Sequence, residues 1–377
     1  MPTAGVSASP APVSIEVGAR AALAVAVPLL ILLAVDRLDL AAYATFGAFT
    51  ALYGRNEPYR LRIRSVSVAG VALLVAIALG VLVALAGEPL WLLIPALLVV
   101  VAAGILLAAT FQLLPAQPLF FVFALLVCGA IPTPGSEVGL RLGLAAAAAA
   151  FSWLLTMSGW GVRHLRARAD ARRASHVSRE SAPSDSAPSD SPNGTVGAQL
   201  FKDLTRRPVV DRGAVRDGRV WLAIAQNVVG VVIAGGVALL FGLGHAYWAV
   251  VSLVAVIPPA RAAHSISRAV HRVVGTVAGV VATVVLLFWS PSPIVIIVII
   301  VVCQLFAEIL VGRHYGAALV FVTPMALSVS HLVSPVPLGV LAVDRVLETA
   351  LGAAVGMLLV LGASWFEREG RLRRSQG

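Results

Sequence analysis

The stretch "YWAVVSLVAVIPPARAAHSISRAVHRVVGTVAGVV", residues 247–281, decides how the rest of the chain is read. An apolar run ends at Pro258-Pro259. A cluster of bases follows (Arg261, His264, Arg268, His271 and Arg272), and a second apolar run starts directly behind it. Two greasy segments joined by a breaker and a basic turn make a membrane hairpin, with its turn at the water boundary.

The composition agrees. Of 377 residues, 59% are hydrophobic and 12% charged, with a mean hydropathy of +0.94, outside the range of soluble domains. Windows long enough to cross roughly 30 Å of hydrocarbon, or nearly so, recur along the chain. They lie at 17–35, 38–54, 65–87, 90–111, 115–132 and 137–161, then at 219–241, 244–260, 268–290, 293–311, 315–333 and 338–365. Backbone groups in hydrocarbon must be satisfied within their own segment, so each window predicts a helix. The expected fold class is therefore an all-α integral membrane protein of about twelve transmembrane helices. The first run is not a cleavable leader, since no basic n-region precedes it and further spans follow.

With both termini in the cytoplasm, 25 of the 28 Lys and Arg residues fall on the cytoplasmic side, and only Arg37, Arg141 and Arg345 fall on the other. The opposite orientation inverts that ratio, so the charge bias predicts a multi-pass protein of the cell (inner or plasma) membrane with both ends inside. The pI near 10.8 reflects this sidedness. No nucleic-acid-binding module accompanies it, so no nucleic-acid partner is expected.

Residues 162–218 break the pattern with a basic stretch running into a Ser/Pro/Asp repeat, "SAPSDSAPSDSPNG". Such a composition cannot bury a core and predicts a disordered cytoplasmic linker, with room for a short helix after Gly197. It divides the chain into a membrane repeat at 1–161, the linker at 162–218, a second membrane repeat at 219–365 and a basic tail at 366–377. At a constant offset of 204 residues, Tyr43 matches Tyr247, Arg64 matches Arg268, Pro89 matches Pro293 and Arg141 matches Arg345. Six helices per half give the halves the same orientation, a parallel repeat whose interface is the expected place for a pathway.

On a helix, positions 264, 268, 271 and 272 share one face. Arg60 and Arg64 align with His264 and Arg268 in the first half. One reading has these bases fixing topology and snorkelling to membrane lipids. The other has them concentrating an anion at the mouth of a path. The second and eighth windows are short and end in breakers (Gly54 and Pro58; Pro258 and Pro259), which in corresponding places of two repeats points to a transporter site.

The 247–281 stretch, together with "HYGAALVFVTPMAL" at 314–327 and "DRVLETALGAAVG" at 344–356, resembles the fusaric acid resistance-type (FUSC) family of bacterial inner-membrane proteins. Plant aluminium-activated malate transporters look like distant relatives. The resemblance implies six-helix membrane units that move organic anions, typically aromatic carboxylates. It points to Tyr247, Trp248, Arg268, Arg272, Gly275, Thr276, Tyr315, Thr323, Asp344 and Arg345. The first half departs from it: Ala44 stands at the Trp position, and Gly70-Val71 replaces Gly-Thr one register out. The large soluble region of many members is missing, so no adaptor protein is expected.

Ionisable residues inside apolar segments are functional candidates by default. Arg141 and Arg345 form a repeat-related pair one to two turns inside the sixth and twelfth helices. Asp344 and Glu348 flank Arg345, and Glu348 is spaced for an intrahelical salt bridge with it. The alternative is that Arg345 binds a carboxylate by its planar fork while Asp344 or Glu348 exchanges a proton. Glu308 is a further proton-coupling candidate and could work with His314, while a solvated interfacial pair is the default reading. Tyr247, Trp248 and Tyr315 could stack on an aromatic ring or anchor the interface. For Gln226, Asn227, Ser252 and Thr323, hydrogen bonding between helices is the default role.

Cys128 and Cys303 sit alone in apolar segments, giving neither a disulfide framework nor metal spacing. No phosphate loop, zinc motif or nucleophile elbow occurs, so neither an enzyme nor a cofactor is expected. The leading reading is a proton-coupled exporter of organic anions, aromatic carboxylic acids first among them, whose partners are its small anionic substrate and membrane lipids. A passive anion channel and a non-transporting scaffold are the alternatives, and a homodimer stays open.

Overall fold

The computed structural model describes residues 11–55, 57–158, 210–258, 266–333 and 337–375. Among them every regular element is helical, and twelve helices follow one another: α1 (Ala11–Ala34), α2 (Ala41–Ala48), α3 (Tyr59–Leu85), α4 (Leu90–Phe111), α5 (Leu119–Gly129), α6 (Gly135–Ser158), α7 (Gly218–Leu240), α8 (Tyr247–Val256), α9 (Ile266–Leu287), α10 (Pro293–Val311), α11 (Tyr315–Val333) and α12 (Leu338–Ser375).

Nine of these are long and apolar enough to cross a membrane, against about twelve spanning helices expected. The second, fifth and eighth windows form shorter helices. α8 has 10 residues, about 15 Å, or half the hydrocarbon thickness. The breakers explain this. α8 stops before Pro258, α2 runs through a 3-10 turn into Gly54 at φ +73°, and α5 is bounded by Pro118 and the loop around Pro132 and Pro134. Incomplete helices are tolerated at membrane depth only when protein surrounds them. Accordingly, all eight residues of α2 and nine of the ten in α8 are buried.

The long helices present valines and leucines outward. On α9, Val270, Val274, Val277, Val281 and Val285 form an exposed stripe, while Arg272, Thr276 and Thr283 are buried. Within the halves the principal packings are α3 on α5, α8 on α12, α9 on α11 and α10 on α11. Between the halves the contacts are reciprocal: α1 packs on α10 as α7 packs on α4, and α5 packs on α8 as α2 packs on α11.

Close approach is set by glycine. A Cβ on Gly352 would fall on the Ala249 carbonyl, where α12 crosses α8, the small-residue contact that membrane helices use in place of hydrophobic burial. Gly352→Leu is expected to abolish the monodisperse peak on size-exclusion chromatography. Gly362→Leu, where a Cβ would meet nothing, should retain it.

Of the 162–218 stretch, the structure describes residues 210–218. Residues 212–216 form a 3-10 turn, with the Asp211 carboxylate accepting from Gly213 N–H at 2.9 Å. The Asp217 carboxylate accepts from Arg219 N–H at 2.9 Å and starts α7. The Asp211 N–H donates to the Thr110 carbonyl at 2.8 Å, pinning this turn to the end of α4. The rest of the linker and the position after Gly197 lie outside the described residues.

Candidate functional site

α8 runs through the second half like a rung-bearing post. His245 precedes it, and Trp248, Ser252 and Ala255 follow at three- or four-residue steps on one face. Each meets a polar group from α9 or α12. The His245 N–H donates to Glu348 Oε1 at 2.9 Å, and His245 Nδ1 lies 2.9 Å from Asp344 Oδ2. The Arg345 guanidinium lies 3.7 Å from the centre of the Trp248 ring. Ser252 Oγ sits 3.4 Å from both Thr349 Oγ1 and Arg272 Nη2. Arg268 Nε donates to the Ala255 carbonyl at 3.0 Å, with its guanidinium 4.7 Å over the Tyr315 ring.

Arg345, Glu348 and Arg272 are 1%, 0% and 2% exposed. Arg345 Nε and Nη1, Trp248 Nε1, Glu348 Oε2 and Arg272 Nε have no hydrogen-bond partner among the described residues. The expected intrahelical salt bridge between Arg345 and Glu348 is not formed; Glu348 spends one oxygen on the His245 backbone instead. A buried arginine with idle donors costs several kcal/mol. Such groups are retained in membrane proteins chiefly at sites of function.

The first half supplies a control. Arg141, at the position 204 residues before Arg345, has a partner on each guanidinium nitrogen. Its Nη1 donates to Tyr43 Oη at 2.8 Å and Thr133 Oγ1 at 2.7 Å, and its Nε and Nη2 donate to Glu137 Oε2 at 3.2 and 2.9 Å. Glu137 also takes Arg37 Nη2 at 2.9 Å, and Arg37 pairs with Asp39 at 3.0 Å. At the opposite end Arg64 lies 4.7 Å over the Phe111 ring, matching Arg268 over Tyr315 at the same offset. The middle is missing: Ala48, Ala145 and Val68 stand where Ser252, Thr349 and Arg272 stand.

A cavity of about 960 Å³ lies between the halves. Phe46, Phe49 and Phe123 contribute its wall from the first half, and His245, Tyr247 and Ser330 from the second. The aromatic rings continue across the boundary: Phe46 to Phe123 at 5.0 Å, Phe123 to Trp248 at 4.8 Å, Trp248 to Tyr247 at 5.1 Å. His245 thus lines the cavity and closes the ladder at once.

The structure therefore brings together Tyr247, Trp248, Asp344, Arg345 and Glu348, with Arg272 one rung below and Arg268 and Tyr315 below that. Thr323 is buried where α11 meets Gly279 of α9. Arg64 and Arg141 stand in the first half, apart from this group. His271 is exposed while Arg272 is buried, so the cationic stripe is divided between environments; His264 and Arg261 lie outside the described residues. Glu308 pairs with Arg55 at 3.4 Å. This corrects the expected His314 partner, because Arg55 reaches α10 from the first half and His314 is exposed. His245, Thr349 and Glu137 were not singled out by the sequence. The 204-residue offset was the available signal for Glu137, since it falls opposite the apolar Leu341.

Residues 226–359, which carry α8 to α11, most of α7 and the first part of α12, match the family model described as fusaric acid resistance protein-like. The uncharacterized membrane protein YvaC of Bacillus subtilis (strain 168) is 31% identical to this chain over 122 residues, 32% of this chain and 19% of that protein. The aligned region thus covers about a fifth of that curated relative's length. No solved structure matches the chain.

Proposed function

We propose that this multi-pass membrane protein exports small organic anions with an aromatic body, holding the carboxylate at Arg345 and the ring against the aromatic wall of the cavity. One observation carries the reading: Arg345, one turn from the cavity-lining Leu341, is buried with Nε and Nη1 unpartnered among the described residues, whereas each guanidinium nitrogen of its counterpart Arg141 has a partner. A guanidinium N–H donates a charge-assisted hydrogen bond to a carboxylate oxygen, the stronger kind of hydrogen bond. Glu348 and Asp344, bracketing His245, are the proton-exchanging groups, and entry of an anion beside them favours uptake of a proton. The ladder through Ser252, Thr349 and Arg272 to Arg268 supplies polar steps toward the other end of the bundle. The family match over residues 226–359 supports transport, and the charge bias supports an orientation with both termini in the cytoplasm and Arg345 toward the outer side.

The test is binding. Benzoate titrated into the purified protein should quench tryptophan fluorescence, with Trp248→Phe removing the change. Arg345→Ala should weaken binding by about 30-fold or more, the equivalent of about 2 kcal/mol for a buried charged hydrogen-bonded pair. Equal affinity for benzoate and benzyl alcohol would overturn the assignment of Arg345.

A further inference from the structure

Resting on that reading, we infer that Glu137 is a built-in substitute for the substrate's carboxylate, and that the residue four positions before each arginine decides whether that arginine is a strut or a binding site. In the first half, Glu137 precedes Arg141 by one helical turn and covers its Nε edge through Oε2 at 3.2 and 2.9 Å. In the second half the same step before Arg345 is Leu341, and Leu341 lines the cavity. The place held by a carboxylate in one half is therefore taken in the other by an apolar residue at the margin of the cavity, and Arg345 Nε, the counterpart of an atom that Glu137 covers, has no hydrogen-bond partner among the described residues. A monocarboxylate whose ring lies in the cavity reaches Arg345 past Leu341, as the Glu137 side chain reaches Arg141. The remaining partners have diverged in step. Thr133, which Arg141 also binds, aligns with Pro337, and Arg37, which supports Glu137, aligns with Phe241. Only the first-half arginine is held from all sides.

Leu341→Glu tests this in the full-length protein. A carboxylate tethered one turn away acts at an effective concentration of millimolar or more, so it should fill the site itself. Benzoate binding should weaken by about tenfold or more, and the thermal unfolding midpoint should rise because Arg345 gains a partner. Leu341→Gln, of the same size without charge, should produce neither change, and adding Arg345→Met to Leu341→Glu should remove the rise. If Leu341→Glu binds benzoate as the parent does, or unfolds at the same temperature as Leu341→Gln, the inference fails while the transport reading stands. If the parent protein does not bind benzoate, the transport reading fails, and the Arg345-dependent rise in stability alone decides the geometry.

Discussion

Arg345→Met is expected to abolish benzoate binding while leaving the thermal unfolding midpoint unchanged or higher, and Arg141→Met is expected to do the reverse. The two residues are equivalent in sequence and opposite in surroundings. Removing Arg345 takes away a buried charge whose Nε and Nη1 have no partner, and replacing such a charge by an apolar side chain of similar volume is neutral or stabilising. Glu348 keeps its hydrogen bond from the His245 backbone in that variant. Removing Arg141 takes a partner from Tyr43, Thr133 and Glu137 together, leaving Glu137 its pair with Arg37 and Thr133 its bond to the Ile131 carbonyl. That should cost about 3 kcal/mol, the low end for a broken buried pair because Glu137 retains some contact with water. Thermal unfolding by nanoscale fluorimetry and benzoate titration on the same samples check both halves of the expectation. Destabilisation of both variants to a similar degree would make Arg345 a structural residue.

The second large effect concerns coupling. A pH gradient of one unit stores about 1.4 kcal/mol per proton and can sustain about tenfold accumulation of a co-transported or exchanged anion. Glu348→Gln keeps the acceptor oxygen that receives the His245 N–H but removes the exchangeable proton. It is therefore expected to reduce the accumulation ratio to about one while counterflow of labelled against unlabelled benzoate continues. Asp344→Asn, which disturbs the 2.9 Å contact with His245 Nδ1, should weaken coupling in the same direction. Glu308→Gln acts elsewhere, since it breaks the 3.4 Å pair with Arg55 that joins the halves at the other end. If all three variants drive uptake as the parent does, proton coupling through these carboxylates is wrong.

How much of this was legible beforehand depended on the range of the interaction. The helical segments were visible because hydropathy is local, and the breakers Gly54, Pro58 and Pro258 marked where α2 and α8 would be cut short. Their length was overestimated because an apolar window does not reveal whether lipid or protein surrounds it. Arg345 and Arg141 stood out as rare charges in apolar helices. Their contrast did not, because it is made by Glu137, Thr133 and Tyr43 converging from three elements. The partner of Glu308 was misassigned for the same reason: His314 is six residues away and Arg55 is 253, and sequence proximity favoured the former. His245 escaped notice because it lies in a connection. Its significance appears only when the start of α12 is laid beside it.

The fold also changes how the two halves should be regarded. The end-stacking of Arg64 on Phe111 and of Arg268 on Tyr315, each at 4.7 Å, supports a parallel repeat. The alanines and valine at the first-half middle rungs confine a polar ladder to α8, α9 and α12. The first half then serves as wall and frame: it contributes Phe46, Phe49 and Phe123 to the cavity and receives α7 and α8 against α4 and α5.

Transport itself is tested by reconstituting the purified protein in liposomes and following radiolabelled benzoate with an imposed pH gradient, with and without a protonophore. Concentrative uptake that collapses with the protonophore and is absent in Arg345→Met is the expected result. Flux that follows only voltage and anion concentration, unchanged by the pH gradient, or no flux above protein-free liposomes, would contradict it.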